Sequence, residues 1–184
     1  MSDASHKLLS QALRARRENR PADAKQNLVE AVDLCRNAGV RVDLAEALTG
    51  LGQIERDLKH SDAALEHYEE AVTIYRAEGD ALKLAHTIRH VGDINRHEGR
   101  SAVAEPCYHE ALSLYRSHEG TPPLDLANAI RGLAILKFDA GEVQEAKALW
   151  EEARDLYAAV NVEAGVTESS RRLAILARGR GHVE

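Results

Sequence analysis

Apolar residues recur along this chain at spacings of three and four, with polar residues filling the positions between them. Ala64, Tyr68, Ala71 and Tyr75 form one such set, and Ala104, Tyr108, Ala111 and Tyr115 form another. Such spacing brings side chains to one face of an α-helix, so each set predicts a helix with one buried stripe. Upstream of these lie further amphipathic segments, Leu44, Leu48, Leu51 and Leu58, then Leu84, Ile88, Val91 and Ile94. Turn sequences separate the paired segments: Glu18-Asn19-Arg20-Pro21, Lys59-His60-Ser61-Asp62, Glu98-Gly99-Arg100-Ser101 and Ala140-Gly141-Glu142. Pro21 suits a first helical position, Ser61 and Ser101 suit N-caps, and Gly99 and Gly141 suit C-terminal stops. Pro106 falls about one turn into its helix, where it removes a backbone hydrogen bond and favours a bend. No stretch shows the alternating β-branched pattern of a strand, so the chain is expected to be all-α and built of helical hairpins.

The hairpins repeat. Ala12, Gly52, Gly92, Ala134 and Ala174 fall in one column when the chain is aligned on itself with an offset of 40–42 residues. Ala24, Ala64, Ala104 and Ala146 form a second column, and Leu28, Tyr68, Tyr108 and Trp150 a third. Ala31, Ala71, Ala111 and Ala153 follow, then Cys35, Tyr75, Tyr115 and Tyr157. Six of the seven aromatic residues therefore stand in two columns, and only Phe138 lies outside them. Alanines let a neighbouring helix approach to about 8–10 Å while rings fill the space beside it. A glycine inside a first helix costs about 1 kcal/mol of helix propensity, so close helix contact is its expected compensation.

These columns resemble the tetratricopeptide repeat family, whose pattern is a small residue in the first helix, then Ala, an aromatic and Ala in the second. Gly52, Ala64, Tyr68 and Ala71 match it, as do Gly92, Ala104, Tyr108 and Ala111, and Ala134, Ala146, Trp150 and Ala153. Ala12, Ala24, Leu28 and Ala31 match more loosely. The family's early aromatic is absent, since Leu8, Leu48, Ile88 and Ile130 occupy its column, and so is its closing proline. The period exceeds the usual length of about 34 and is similar to that of the longer kinesin light chain-type repeats. The resemblance implies a right-handed α-solenoid of four hairpins, at about residues 5–38, 45–78, 85–118 and 127–160. A capping helix over residues 163–178 closes it, so that residues 1–178 form a single domain. The tail, residues 179–184, is expected to be disordered.

Composition narrows the function. The 184 residues are 44% hydrophobic and 29% charged, with a formal net charge of -6. That balance fits a folded chain. A net negative charge argues against duplex DNA as a partner, which demands a basic face. No apolar run approaches the ~20 residues of a membrane span. The N-terminus lacks the apolar block of a signal peptide, and a cytoplasmic location is expected. Cys35 and Cys107 form neither a disulfide framework nor a zinc quartet. There is no phosphate-binding glycine loop, nucleophile elbow or His-Glu-x-x-His pair, so no catalytic role is expected. No cofactor is implied.

In the resembling family, partners bind a concave groove lined by first helices. Carried over column by column, that groove would hold Arg56, His86, Arg89, His90, Asp93, Arg96, Asn128, Arg131, Phe138 and Arg171. Arginine dominates this set, while Glu66, Glu69, Glu70, Glu142, Glu145, Glu151 and Glu152 stand on the second helices. A basic groove on an acidic back would attract an acidic protein segment or partner helix through arginine–carboxylate pairs. The competing reading is that these arginines form ordinary surface pairs, Arg89 with Asp93 four residues on and Arg56 or Arg96 with Asp57 or Asp139. The family's clamp for chaperone C-termini is not matched, since its positions read Leu9/Leu13, Thr49/Gln53, Arg89/Asp93 and Arg131/Ile135. Two alternatives stand beside the groove. One is a self-assembling scaffold pairing through Leu8, Leu9 and Leu13. The other is a metal- or pH-responsive sensor, because His86 and His90 are spaced i, i+4 with Asp93 on the same face.

Overall fold

The structure is a computed structural model that describes residues 3–178, apart from the side chain of Asp3. The tail expected to be disordered lies outside the described residues. Among the described residues nine helices follow one another: α1 (Asp3–Arg17), α2 (Pro21–Ala38), α3 (Arg41–Asp57), α4 (Ser61–Glu78), α5 (Ala81–His97), α6 (Ser101–Ser117), α7 (Pro123–Asp139), α8 (Val143–Ala159) and α9 (Glu163–Arg178). Among the described residues there is no strand. The chain divides into two compact units, Met1–Ile94 and Asn95–Glu184, with the division inside α5. In the first unit α1 pairs with α2, α3 pairs with α4, and α2 stacks on α3. In the second, α7 lies between α6 and α8, and α9 packs on α8.

Local chemistry sets the helix ends. Pro21 opens α2 as its first residue, where the missing N–H is of no consequence. Ser61 and Ser101 do not act as N-caps: α4 and α6 begin on them, and the cap positions belong to His60 and Arg100, with no side-chain cap bond. Those two side chains reach back to the preceding helix instead. His60 Nδ1 lies 2.8 Å from Glu55 Oε2, and Arg100 Nε donates to Asn95 Oδ1 at 2.7 Å. Their backbone amides bond the carbonyls of the same two residues at 2.9 and 2.8 Å, which closes each turn twice over. Gly99 and Gly141 take the left-handed conformation at φ 73° and 77°, as expected of helix stops, while Lys59 adopts φ 68° at the equivalent turn. The α6 helix runs unbroken through Pro106, which is solvent-exposed.

The aromatic columns form the core. Tyr68, Tyr75, Tyr108, Tyr115, Trp150 and Tyr157 are all buried, together with the alanines that flank them. Glycines admit the rings. A Cβ at Gly52 would lie 2.7 Å from the Tyr68 ring, and one at Gly165 would lie 2.4 Å from the Tyr157 ring. A second set of contacts joins each aromatic position to the first helix of the next hairpin. In the first unit Leu28 presses on Gly50, and the Tyr68 ring stacks on His90 with centroids 5.3 Å apart. In the second unit Tyr108 presses on Gly132, and the Arg172 guanidinium lies 5.9 Å over the Trp150 ring. His90 and Arg172 thus occupy the place that glycine takes elsewhere, and they meet the ring with a flat polar face.

Several charges are buried or shared between helices. Glu55 is buried on α3 and paired with Lys25 at 2.7 Å as well as with His60. Burial pushes its carboxyl up, but Lys25 and His60 outweigh that and hold it below the ordinary value. In the second unit the buried Lys137 ammonium meets Glu105 at 2.6 Å, Glu142 at 3.0 Å and Glu145 at 3.4 Å. Hydrogen bonds donated to Glu105 and Glu142 raise its pKa above that of an ordinary lysine. On the second helices Arg36 bonds Glu70 at 2.6 Å, and Arg116 grips both oxygens of Glu152 at 2.9 Å. Such exposed pairs are worth about 0–1 kcal/mol each.

Candidate functional site

In the first unit the expected site residues converge. On α5, His86, Arg89, His90 and Asp93 follow a helical stripe, and α3 lays Gln53, Arg56 and Asp57 beside it. Arg56 Nη1 donates to His90 Nδ1 at 2.7 Å. Arg89 Nη2 lies 3.0 Å from His90 Nε2, and that nitrogen is 3.2 Å from His86 Nε2. Gln53 Nε2 reaches His86 Nε2 at 3.5 Å. Arg89 Nη1 donates to Asp93 Oδ2 at 2.7 Å, and Arg56 Nη2 donates to Asp57 Oδ1 at 3.0 Å. From α1, Arg16 donates to Gln53 Oε1 and lies 3.5 Å from Asp57. Arg89 and His90 are buried, at 8% and 5% exposure, whereas Arg56, His86, Gln53 and Asp93 are half-buried and reach solvent.

The hydrogen-bond logic around His90 is constrained. A neutral imidazole has one acceptor nitrogen, and the shorter contact, 2.7 Å from Arg56 against 3.0 Å from Arg89, assigns that role to Nδ1. A neutral imidazole then carries its proton on Nε2, which can donate to His86 Nε2 and fixes the proton of His86 on Nδ1. Arg89 Nη2 consequently faces an N–H it cannot bond. Arg89 Nε is buried with no hydrogen-bond partner, and so is the Tyr68 hydroxyl, whose ring stacks on His90. Burial first, then the charges of Arg89, His86 and Arg56, push the His90 pKa well below that of an ordinary histidine.

Two imidazole nitrogens 3.2 Å apart could face one metal ion, but the guanidinium of Arg89 stands 3.0 Å from the same nitrogen and repels a cation. Three guanidinium groups, of Arg16, Arg56 and Arg89, share the carboxylates of Asp57 and Asp93.

The neutral state of His90 has a measurable consequence. Unfolded, the side chain regains its ordinary pKa of 6.5, whereas folded it resists protonation. Below that pH the unfolded chain takes up a proton that the folded chain refuses. Stability accordingly falls on acidification, by up to about 1.4 kcal/mol per pH unit, until the folded pKa is reached. Urea unfolding at about pH 7.5 and about pH 5.5 is expected to differ by roughly 1–1.5 kcal/mol. The His90→Gln variant is expected to lose most of that difference, and an undiminished difference would place its origin elsewhere.

In the second unit the expected residues are held separately. Arg131 grips Glu168 of α9 with two bonds, 2.7 and 2.9 Å. Asn128 accepts a bond from the Tyr157 hydroxyl at 2.8 Å. Arg96 Nε donates to the Tyr108 hydroxyl at 3.2 Å, and its Nη2 lies 3.1 Å from His97. Phe138 is half-buried beneath the Arg172 guanidinium, 5.2 Å from its ring centroid, and Arg171 is exposed. A pocket in the first unit that the columns did not indicate is lined by Gln11, Arg14, Arg20, Asp23, Gln26 and Asn27. Its two arginines already pair with Glu18 and Asp23.

Comparisons place this geometry among known folds. The model for tetratricopeptide repeats matches residues 3–77. Among curated protein sequences nothing matches this chain. Among solved structures, BtubC (BKLC) of P. vanneervenii aligns with a TM-score of 0.76 and 21% identity, over 85% of this chain and 64% of that one. Kinesin light chain TPR-like repeats of P. anserina align at 0.75 and 16%, over 98% and 89%. A Rap protein complexed with Competence and Sporulation Factor aligns at 0.79 and 16%, over 92% and 48%. This chain thus spans less than two thirds of BtubC and about half of Rap. No helix of the described residues is long and apolar enough to cross a membrane. The tetratricopeptide repeat pattern is thus matched over residues 3–77, and the all-α hairpins of the chain share the fold of these TPR-like repeat structures.

Proposed function

We propose that this chain is a noncatalytic interaction module that holds an acidic segment of a partner protein against its first helices. Tetratricopeptide repeats generally serve as protein–protein interaction modules, and the Rap relative was solved in a complex. The observation that carries the acidic preference is the arginine–histidine cluster of α3 and α5. There the guanidinium groups of Arg16, Arg56 and Arg89 outnumber the carboxylates of Asp57 and Asp93, with His86 and His90 beside them. In the second unit Arg96, Asn128, Arg131, Phe138 and Arg171 are the candidate contacts. Of these, Arg131 must release Glu168 to engage a partner carboxylate.

Selection of a displayed random-peptide library on the full chain tests this reading. Enriched peptides are expected to carry Asp and Glu, to bind more weakly as salt is raised, and to lose about tenfold or more in affinity with Arg56→Ala. Enrichment of uncharged or basic peptides would overturn it. A second reading, self-assembly, draws on Leu13, which is 50% exposed on α1 beside the half-buried Leu8 and Leu9. A molar mass by light scattering that rises with concentration and drops with Leu13→Gln would favour that reading.

A further inference from the structure

The acidic-partner reading leaves open where a partner carboxylate sits and what it must displace. Two guanidinium groups in the first unit are arranged alike. Arg16 on α1 and Arg56 on α3 each fix one terminal nitrogen on a neutral acceptor. Arg16 Nη1 donates to Gln53 Oε1, and Arg56 Nη1 donates to His90 Nδ1 at 2.7 Å. The other terminal nitrogen of each turns to one and the same carboxylate. Arg56 Nη2 donates to Asp57 Oδ1 at 3.0 Å, and Arg16 Nη2 lies 3.5 Å from Asp57 Oδ2. One carboxylate thus lies between two guanidinium groups, each anchored through its second nitrogen, and a partner's Asp or Glu side chain would use the same charge-assisted contacts. All three side chains reach solvent, at 40% exposure for Arg16, 29% for Arg56 and 49% for Asp57.

The helix itself gives no reason for a carboxylate there. Asp57 is the last residue of α3. Unpaired carbonyls make that end of a helix negative, so an anion is disfavoured. The first helices α1 and α5 end instead on the basic residues Arg17 and His97, and α9 ends on Arg178, while α7 ends on Asp139. Both ion pairs of Asp57 are exposed, and exposed pairs add little to folding. What Asp57 does to the two arginines accounts for its place better than what it does for its helix.

We propose that Asp57 is an internal stand-in for the partner: its carboxylate occupies the place between Arg16 and Arg56 that a carboxylate of the bound acidic segment takes, and the segment must displace it. The inference rests on the acidic-partner reading above and adds to it the position of one contact and a built-in competitor. Displacement needs only a rotation of the exposed Asp57 side chain towards solvent. Gln53 and His90 keep their hold on the guanidinium groups, so the place stays formed while its occupant changes. A free carboxylate competes poorly with one tethered at high effective concentration. Only a segment that brings further contacts therefore displaces Asp57, and the stand-in screens out isolated acidic groups.

The test uses the full chain with a capped oligoglutamate peptide as probe and its oligoglutamine counterpart as control, with affinities read by calorimetry. Asp57→Asn removes the charge and keeps the shape, and it should tighten glutamate-peptide binding by about threefold or more. Asp62→Asn removes the same charge from the exposed first turn of α4, and it should change the affinity by less than about twofold. In an Arg16→Gln background the gain from Asp57→Asn should shrink, because one of the two donors it releases is gone. Urea unfolding of Asp57→Asn should show stability equal to or above that of the unmodified chain, since an anion leaves the end of α3. Equal gains from Asp57→Asn and Asp62→Asn would reduce the effect to net charge and overturn the stand-in. A gain undiminished by Arg16→Gln would overturn the shared place. Loss of stability in Asp57→Asn with no gain in affinity would make its ion pairs structural. In each of these cases the acidic-partner reading still stands, whereas absence of binding by the glutamate peptide to the unmodified chain and to Asp57→Asn would overturn both.

Discussion

Replacing Trp150 by alanine is expected to cost about 3–5 kcal/mol of stability, the loss typical of a large buried aromatic truncated to a methyl group. The indole is fully buried on α8, with Ala146 one turn before it and Ala153 almost one turn after, both also at 0% exposure. These small neighbours cannot fill the vacated volume. Arg172 of α9 also loses the ring over which its guanidinium rests, 5.9 Å from the centroid. The indole N–H has no hydrogen-bond partner, so Trp150→Phe removes a desolvated donor while keeping most of the apolar area. That variant should lose much less, on the order of 1–2 kcal/mol. Urea unfolding followed by far-ultraviolet circular dichroism separates the two. Equal losses in both variants would show that the buried volume does not set the cost.

Gly132→Ala is the second large effect, and its sign is the informative part. On an open helix the change would stabilise by about 1 kcal/mol, because glycine is the poorer helix former. Here the added Cβ would fall 2.3 Å from Cε1 and 2.7 Å from Cζ of Tyr108. That ring is wholly buried on α6, and its hydroxyl accepts from Arg96 at 3.2 Å, so it cannot swing aside cheaply. Overpacking of this kind costs about 1–3 kcal/mol, enough to cancel or reverse the helix gain. In a Tyr108→Ala background the obstruction is gone, and the same Gly132→Ala change should stabilise by close to its helix-propensity value. A double-mutant cycle by chemical unfolding measures the reversal. The same small effect of Gly132→Ala in both backgrounds would mean that the ring does not press on this glycine.

Both effects show where the sequence is readable. Helices and core were legible because burial at 3- and 4-residue spacing leaves little choice of side chain: Tyr68, Tyr108 and Trp150 announce themselves by column. Gly132 did not. The alignment directed attention to Ala134 as the small residue of α7, yet the contact that demands glycine is set by how far the Tyr108 ring reaches across from α6. Reach is a property of the packed pair of helices and leaves no periodic trace.

The candidate site was legible in part for the same reason. The columns singled out Arg56, His86, Arg89, His90 and Asp93, and the first unit brings these together. Their partnering was not deducible from the period. Side chains that meet on successive first helices are 33, 34 or 37 residues apart, as in Gln53–His86, Arg56–His90 and Arg16–Gln53, short of the 40-residue column spacing. Column partners thus differ from spatial partners by one or two helical turns, an offset fixed by how the helices cross. Pairs such as Arg131–Glu168, 37 apart, follow the same offset in the second unit. Lys137 was missed because a lysine amid leucine and isoleucine reads as an interruption. Its three glutamates come from the facing α6 and from the turn and first residues of α8.

The chain's single tryptophan sits in one unit only, while tyrosines serve both. Selective excitation of the indole therefore listens to residues 95–184 and stays deaf to the rest of the molecule. Laid over an ellipticity melt, which hears every helix alike, that emission trace tells whether the two halves let go in a single step or in succession, with no label attached.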